Sequence, residues 1–366
     1  MMNDHQPAKA HRPTPVDLII LCGFLGSGKT TLLVDFLGQQ AGMHDTAVIV
    51  NEAGAVGIDG ALVTEGGGDV PMTLLANGCV CCSLRSSLIH TVSRLLDAPR
   101  PPTAPALARI VIETSGLSRP GPIIASLTDP ELARRGLRVS VVSTFDAVLG
   151  GLRLHQFEEA AAQLAAAQRI VLTKLDLIEP DALATLMAQA TLVNPMARVL
   201  GHADRQAQVR EAFSHEANET TDRTAVMALM QRAAPLASAH PRLHVMQGTV
   251  APGTCWDELS IWLDNLAGLC GERLLRVKAL VHVTDCEDPI LIQSVGTTFS
   301  IPRRMTQRRG APDVIVVITR DITPKKLSED MPGACVRLDP LIAAPTPDLP
   351  SVGLPLFHKR SSHAFL

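Results

Sequence analysis

Short apolar runs alternate with helix-like segments through the first half of the chain. Five runs are almost entirely aliphatic, which is typical of strands buried on both faces of a parallel sheet. These predicted strands are Leu18–Cys22, Ala47–Val50, Ile110–Ile112, Val139–Val142 and Ile170–Leu172. The predicted helices between them are Thr30–Gln40, Leu84–Leu96, Ile123–Leu127 and Gln156–Ala167. Such alternation predicts an α/β domain built on a doubly wound, mostly parallel sheet.

A different pattern begins at Leu243, after a polar and alanine-rich stretch. Strands and helices then follow in an order typical of a smaller α+β domain with an open antiparallel sheet. The predicted elements are a strand over 243–249, a helix over 255–269, strands over 274–284, 290–295 and, as the last strand, 314–319, and a short helix over 324–330. The predicted division is a flexible tail (1–15), a first domain (16–205), a linker region (206–240), a second domain (241–340) and an extended, proline-rich tail (341–366).

Composition excludes several classes of protein. Hydrophobic residues make up 46% of the 366 residues and charged residues 19%, so the chain is too apolar for disorder throughout. The 33 basic and 36 acidic residues give a net charge of −3, which argues against general nucleic-acid binding. No stretch approaches the ~18 consecutive apolar residues of a membrane helix, and eight cysteines are too few for a disulfide scaffold. We expect a cytoplasmic protein with neither a nucleic-acid nor a membrane partner.

The segment Gly23–Thr30 fits the phosphate-loop pattern G-x-x-x-x-G-K-[ST] at every position. Because it joins a predicted strand to a predicted helix, the apolar run Leu18–Leu25 is better explained as a buried strand than as a signal peptide. The glycines let successive N–H groups turn towards phosphate oxygens, Lys29 reaches the β- and γ-phosphates, and the Thr30 hydroxyl binds Mg²⁺. The predicted nucleotide contacts are Gly23, Gly26, Ser27, Gly28, Lys29, Thr30 and Thr31.

A second segment belongs with the phosphate loop. The predicted strand Ile110–Ile112 ends at Glu113, and Gly116 follows three residues later. A carboxylate at that position would join the magnesium site beside the γ-phosphate, and the glycine would allow the next loop to close over that phosphate.

The segment Thr173-Lys174-Leu175-Asp176 indicates the base. It departs from the pattern N-K-x-D only in its first residue. The carboxylate of Asp176 would accept two hydrogen bonds from guanine, which adenine does not offer in that arrangement. Lys174 would lie along the base plane, and the Thr173 hydroxyl would tether the surrounding loops. GTP is therefore the predicted nucleotide.

Cys79, Cys81 and Cys82 crowd into four positions just before a predicted helix. Thiolates are soft ligands that suit Zn²⁺, Co²⁺ or Cu⁺, and three of them leave one coordination position open for transfer of the metal. Adjacent Cys81 and Cys82 point in different directions, which argues against a shared core role. Two alternatives stay open: a redox dithiol formed by the C-x-x-C of Cys79 and Cys82, and three inert buried thiols.

Taken together, these motifs resemble those of the CobW-type P-loop GTPases, in the CobW/HypB/UreG superfamily. The segments that carry the resemblance are GFLGSGKTT at 23–31, NEAG at 51–54, NGCVCCSLR at 77–85, ETSGLSRP at 113–120 and TKLD at 173–176. Asn194-Pro195-x-Ala197 and the segment LLRVK at 274–278 also match. The likeness covers about residues 16–320, nearly the whole chain.

The resemblance implies a GTP-hydrolysing, Mg²⁺-dependent domain followed by a smaller domain of the CobW C-terminal type. It implies that the three cysteines bind a transition metal, most often zinc and alternatively cobalt, for delivery to a metal-requiring client protein. By position, Glu52 would lie in the switch segment near Mg²⁺ and would share the catalytic role with Lys29 and Glu113. Related GTPases often dimerise across the nucleotide, so a homodimer is one state that the resemblance allows.

Several positions depart from the family pattern or have no assigned role. Ala55 stands where many relatives carry an acid, and Ala279 stands where glycine is common after R-V-K. For Asp146, which matches a family position, a structural role is expected. The basic patch Arg303–Arg309 is either a client-docking surface or a solvated loop. Two other functions stay open: an enzyme of cobalamin or cobalt metabolism, and a redox protein that uses its C-x-x-C.

Overall fold

A computed structural model describes residues 15–39, 45–51, 72–74, 83–100, 104–214, 236–237, 240–306 and 312–343. Within these ranges the chain forms two seven-stranded sheets and one small two-stranded sheet. None of the helices in the described ranges is long and apolar enough to span a bilayer. Most of the two predicted tails and most of the predicted linker lie outside the described residues.

The first sheet is entirely parallel. Its strands are β1 (Asp17–Gly23), β2 (Thr46–Asn51), β3 (Met72–Leu74), β4 (Arg109–Thr114), β5 (Arg138–Asp146), β6 (Arg169–Thr173) and β7 (Arg198–Leu200). They lie in the order β3-β2-β4-β1-β5-β6-β7, with β1 at the centre. The predicted doubly wound fold is confirmed.

Helices cover both faces of this sheet. They are α1 (Lys29–Gln39), α2 (Ser83–Asp97), α3 (Pro120–Leu127), α4 (Pro130–Arg134), α5 (Gly150–Gln156), α6 (Glu158–Ala166), α7 (Ala182–Val193) and α8 (Arg205–Ala212). On one face α1 and α8 pack together, and the rings of Phe36 and Phe213 stack at 4.1 Å. Leu18 and Ile20 of β1 face the opposite core, in which α2, α3 and α6 pack, because side chains alternate along a strand.

The second sheet is antiparallel, as predicted. Its strands are β9 (Leu243–Val250), β10 (Leu274–Val283), β11 (Cys286–Val295), β12 (Thr298–Phe299), β13 (Arg303–Arg304), β14 (Val314–Arg320) and β15 (Val336–Pro340). The helices of the same domain are α9 (Trp256–Cys270) and α10 (Pro324–Asp330). The strand order is β12-β11-β10-β14-β9-β15, and β13 pairs with β11. The two-stranded sheet pairs β8 (Leu236–Ala237) with β16 (Ile342–Ala343).

Three differences from the predicted elements have physical causes. A single helix was expected over 156–167, but Phe157 takes an extended conformation and separates α5 from α6. Its ring stacks on Phe24 at 4.6 Å, a contact that favours the break. Helix α8 falls within the predicted linker region, and its Val209 and the following Phe213 are buried in one core with Ile19 of β1. A further strand, β15, follows the predicted last strand; its sequence VRLDP has too few apolar residues to signal one.

Helix α6 lies between the two sheets. Its sequence EEAAAQLAA is rich in alanine, and six of its nine residues are buried. Ala161 and Leu164 share one core with Leu18 of the first sheet and Val316 of the second. Small side chains let a helix approach both neighbours closely, so the alanines suit a helix covered on two sides. The opposite face of the second sheet packs against α9, including Trp262.

Ion pairs link the start of α6 to the second domain. Glu158 binds Arg320 at 2.6 Å and Arg242 at 3.4 Å, both from the second domain. Arg119 binds Glu158 at 3.1 Å and also Glu272, which follows α9, at 3.1 Å. Arg320 is buried, whereas the other side chains are partly or largely exposed, so the pairs among those others contribute little by themselves.

The buried end of α6 is satisfied by two residues of the matching motifs. Asn194 Nδ2 donates to the carbonyls of Leu164, Ala165 and Ala167 at 2.9–3.0 Å. Arg276 Nη1, from β10, donates to the carbonyl of Ala166 at 2.5 Å. The last carbonyls of a helix have no partner within it, so a buried helix end requires such donors. Asn194 and Arg276 therefore allow α6 to end inside the protein.

Replacing Arg276 with methionine tests this role. Arg276→Met keeps the apolar bulk but leaves the Ala166 carbonyl buried without its donor, at a cost of about 2 kcal/mol in the free energy of unfolding. Urea unfolding measures it. The matched variant Arg337→Met, at an exposed arginine of the same domain, should change stability by less than about 0.5 kcal/mol. Equal unfolding midpoints for the two variants would contradict the role.

Candidate functional site

The phosphate loop follows β1 at the carboxyl end of the central strand, where open α/β sheets bind their ligands. Positive φ angles at Gly23 (142°), Gly26 (66°) and Gly28 (89°) give the backbone a conformation that other residues rarely adopt. At Gly23 there is also no space, because a Cβ would lie 2.1 Å from Thr144 Oγ1. Lys29 Nζ donates to Phe24 O at 3.4 Å. The loop is thus curled as a phosphate-binding backbone requires.

Thr30 and Glu113 meet beside this loop. Thr30 Oγ1 donates to Glu113 Oε1 at 2.6 Å, although 83 residues separate them. Glu113 lies near the end of β4, opposite Leu21 of β1, and is only 4% exposed. A hydroxyl and a carboxylate are the hard oxygen donors that Mg²⁺ prefers. The residues present therefore fit a magnesium ion.

The loop after β4 packs directly on the phosphate loop. A Cβ on Gly116 would lie 2.7 Å from the backbone nitrogen of Leu25 and 2.8 Å from its Cα. Gln163 of α6 binds the loop after β4, since its Nε2 donates to Gly116 O at 3.0 Å and to Ser118 O at 2.9 Å. The two loops are therefore in contact, and α6 sets their position.

A cavity of about 410 Å³ lies on the other side of the phosphate loop. Its lining includes Thr173 at the end of β6 with Lys174 and Asp176 just after it. His202, after β7, and Arg205, the first residue of α8, also line it. Thr173 Oγ1 donates to Ser27 O at 2.7 Å and so links the two loops. The cavity has room for a purine base, which a predicted guanine site at Lys174 and Asp176 requires.

Asp146 is a buried carboxylate at the end of β5. Oδ1 accepts from the N–H groups of Val148 and Leu149, and Oδ2 accepts from Lys174 Nζ at 2.7 Å and from Arg153 Nη1 at 3.3 Å. Burial by itself raises the pKa of Asp146, but the Lys174 and backbone hydrogen bonds outweigh burial and hold the pKa below its ordinary value. Asp146 is therefore an anion that fixes the two cations around it.

Some predicted site residues cannot be located. Glu52, Cys79, Cys81 and Cys82 lie outside the described residues. Among the residues that are described, no group of three or more His, Cys, Asp or Glu side chains is arranged to hold a metal.

Sequence reasoning missed Arg153, Gln163 and His202. Gln163 and Arg153 sit in helical segments with no motif, so the sequence carried no signal for them. His202 follows β7, whose neighbouring parallel strand β6 ends at Thr173. Recognition of that strand would have pointed to His202, because the carboxyl ends of parallel strands share one edge.

Two protein-family models match successive segments of this chain. The family model described as the CobW/HypB/UreG nucleotide-binding domain matches residues 17–201, and that of the cobalamin synthesis protein cobW C-terminal domain matches residues 252–335. The chain belongs to this family. The resemblance seen in the motifs is confirmed, and the second match falls on the antiparallel domain.

Individual CobW-family relatives carry related names. The zinc chaperone YjiA of Escherichia coli is 31% identical over 78% of this chain and 88% of its own length. A zinc chaperone CobW of Sinorhizobium sp is 32% identical over 45% of this chain and 52% of its own length. The crystal structure of Zn(II)-bound YjiA GTPase superposes with a TM-score of 0.58 at 21% identity, over 87% of this chain and 99% of that one. At that identity the superposition supports the fold alone.

Gly116 provides a stability test of the contact between the two loops. In Gly116→Ala the new Cβ meets the backbone of Leu25, so one loop must move, and we expect a loss of about 2 kcal/mol in the free energy of unfolding. Gly38→Ala is the matched control, because Gly38 lies in α1 with nothing within 4 Å of its Cβ position. That change should stabilise the protein by up to about 1 kcal/mol. Urea unfolding that gave the same sign for both would refute the close contact.

Asp146 predicts a pH-dependent stability. Its folded pKa lies below the ordinary value of about 3.9, so its contribution is complete above that value and is lost as pH falls through the folded pKa. Asp146→Asn should cost about 2 kcal/mol at pH 7 and progressively less below about pH 4. Urea unfolding between pH 7 and pH 3 measures the difference. Asp339→Asn, at an exposed aspartate paired with Arg337, should show almost none; a pH-independent cost at Asp146 would contradict the assignment.

Proposed function

We propose that this chain is a GTP-hydrolysing metallochaperone. It binds Mg²⁺–GTP in the first domain and carries a transition metal, zinc first and cobalt as an alternative, on Cys79, Cys81 and Cys82. GTP hydrolysis then accompanies transfer of the metal to a client protein that requires it. The observation that carries the proposal is the contact of Thr30 with Glu113 beside a curled phosphate loop, in a chain 31% identical to a zinc chaperone.

The proposed nucleotide site lies at the carboxyl ends of the strands of the first sheet. Lys29 and the backbone N–H groups from Gly23 to Thr31 hold the phosphates, as the phosphate-loop pattern requires. Thr30 and Glu113 hold Mg²⁺, which when bound neutralises charge on the β- and γ-phosphates. Lys174 and Asp176, which line the 410 Å³ cavity, select guanine.

Gly116 and Glu52 belong to the segments that respond to the γ-phosphate. Gly116 packs against Leu25 of the phosphate loop. A triphosphate bound in the phosphate loop would therefore affect the position of Gly116. Glu52 follows β2, which pairs with β4 up to Asn51 and Thr114. Both segments therefore leave neighbouring strands at one edge of the sheet.

The metal half rests on chemistry and on the relatives. Three thiolates form a soft site with one position open to an acceptor ligand. Two relatives are named zinc chaperones, and a relative from Schizosaccharomyces pombe is named a zinc-regulated GTPase metalloprotein activator. The cysteine segment joins β3 to the start of α2 at Ser83, between the segments of Glu52 and Glu113 in sequence. Thiols that must stay reduced suit a cytoplasmic setting.

In this proposal, nucleotide binding and metal binding are coupled. The γ-phosphate orders the loops after β2 and β4, and its loss on hydrolysis relaxes them and weakens metal binding. Because linkage is reciprocal, the metal must also change the affinity for GTP by the same factor. Release of the metal to the client is then favoured in the GDP-bound protein.

Metal affinity measured in two nucleotide states tests the proposal. Competition of the whole protein with a chelating dye should give zinc affinity at least about tenfold tighter with Mg²⁺–GTP than with Mg²⁺–GDP, a coupling of about 1.4 kcal/mol. The variant with Cys79, Cys81 and Cys82 changed to serine should lose this binding. Cys286→Ser, at a cysteine of the second domain, should retain it.

Each half of the proposal has its own contrary outcome. Equal zinc affinity in both nucleotide states removes the coupling, and zinc binding that survives the triple substitution removes the cysteine site. Glu113→Gln should lower the GTP hydrolysis rate on the order of 100-fold; an unchanged rate removes the magnesium role. A reversible Cys79–Cys82 disulfide without metal dependence would favour the redox alternative.

A further inference from the structure

Arg153 contacts the phosphate loop, although no motif contains it. Its Nη1 donates to the Leu25 carbonyl at 2.6 Å, the two residues being 128 positions apart. Its guanidinium carbon lies 5.8 Å from the ring centroid of Phe24, within cation–π range. Its Nη2 is 3.8 Å from the position that a Cβ on Gly26 would take. The guanidinium therefore lies against three consecutive residues of the loop, Phe24, Leu25 and Gly26.

The Leu25 carbonyl belongs to the same peptide unit as the Gly26 N–H. In a planar trans peptide these two groups point in opposite directions, so fixing the carbonyl also fixes the N–H. A charged donor on the carbonyl strengthens the dipole of the unit as well. In a phosphate loop the N–H groups are the ligands of the phosphate oxygens. A cation bound to the Leu25 carbonyl therefore acts on a phosphate ligand without touching the phosphate.

Arg153 is itself held in place. Asp146 accepts from its Nη1 at 3.3 Å, and two backbone N–H groups fix that carboxylate in turn. The ring of Phe157, at the end of α5, stacks on Phe24 and ties the helix that carries Arg153 to the loop. The Arg153 side chain is 22% exposed and Asp146 only 1%. A long side chain restrained in this way does not need to be ordered when a nucleotide binds.

Lys174 completes the arrangement. Its Nζ binds the same Asp146 oxygen at 2.7 Å, so one carboxylate links the predicted base site to the phosphate loop. The shared anion keeps Lys174 and Arg153 at a fixed separation. The distance between base site and phosphate site is thereby set by the chain before a nucleotide arrives.

We propose that Arg153 is a positioning residue for the phosphates of the nucleotide, acting through the Leu25 carbonyl on the Gly26 N–H and held by Asp146. This inference rests on the proposed function, since it assumes that the loop binds GTP. It assigns Asp146 a role in the nucleotide site beyond stability. A purely structural Arg153 would instead affect folding and all ligands alike.

The test compares nucleotides that reach the phosphate loop to different extents. Dissociation constants for Mg²⁺–GTP, Mg²⁺–GDP and GMP are measured by displacement of a fluorescent GDP analogue, with single-turnover hydrolysis alongside. In Arg153→Met we expect GTP and GDP to bind about tenfold more weakly and GMP to change less than about twofold, since one charge-assisted hydrogen bond is lost. The single-turnover rate should fall about tenfold.

Two further variants sharpen the result. Arg153→Lys keeps a cation but not the planar fork that reaches Leu25 and Asp146 together, so its loss for GTP should be intermediate, about threefold. Arg135→Met removes another ion-paired arginine of the same domain, bound to Asp97, and should leave all three nucleotides unchanged. If Arg153→Met does not fold, the GTP-to-GMP affinity ratio is read from Arg153→Lys.

The contrary outcomes are distinct. If the GTP-to-GMP affinity ratio is unchanged in Arg153→Met, or in Arg153→Lys where that variant replaces it, the role of Arg153 is overturned. An equal loss of affinity for all three nucleotides together with a lower melting temperature also overturns it. If the unmodified protein fails to bind GTP, the proposed function itself is wrong. A normal wild-type affinity with an unaffected variant leaves the proposed function standing and removes only this inference.

Discussion

The whole molecule depends on a short helix that is covered by a sheet on each side. Helix α6 has no solvent at its carboxyl end, so its last carbonyls need donors from elsewhere in the chain. Asn194, in the first domain, supplies three hydrogen bonds. Arg276, in the second domain, supplies the fourth. Arg276 of the second domain therefore joins the two sheets by completing the hydrogen bonding of α6, in addition to the apolar packing.

The same helix links the second domain to the loop over the phosphate site. Gln163 in its middle holds Gly116 and Ser118, and Glu158 at its start binds Arg119 and Arg320. The carboxyl end is buried, whereas the amino end is held by ion pairs in which Glu158 and Arg119 are partly exposed and Arg320 is buried.

The sequence predicts best what repeats or follows a local pattern. Aliphatic strands and the glycines of the phosphate loop were recognisable because their chemistry is contained in a few consecutive residues. Arg153 and Gln163 were not, since each binds a backbone carbonyl far along the chain, and such a partner does not show in the local sequence pattern. Arg276 lies in a segment that matched the family, but its partner, the Ala166 carbonyl, was not predictable for the same reason. The break at Phe157 was missed for the same reason: its cause is a ring in the phosphate loop, and the local sequence favours a continuous helix.

The position of α9 has an optical consequence. The chain has two tryptophans and no tyrosine, and both Trp256 and Trp262 belong to α9. Tryptophan fluorescence therefore arises entirely from the second domain, whereas the phosphate loop and its surroundings lie in the first. The protein carries a natural emission reporter remote from its nucleotide site. A change in that emission when a nucleotide is added would therefore report a change transmitted from the first domain to the second.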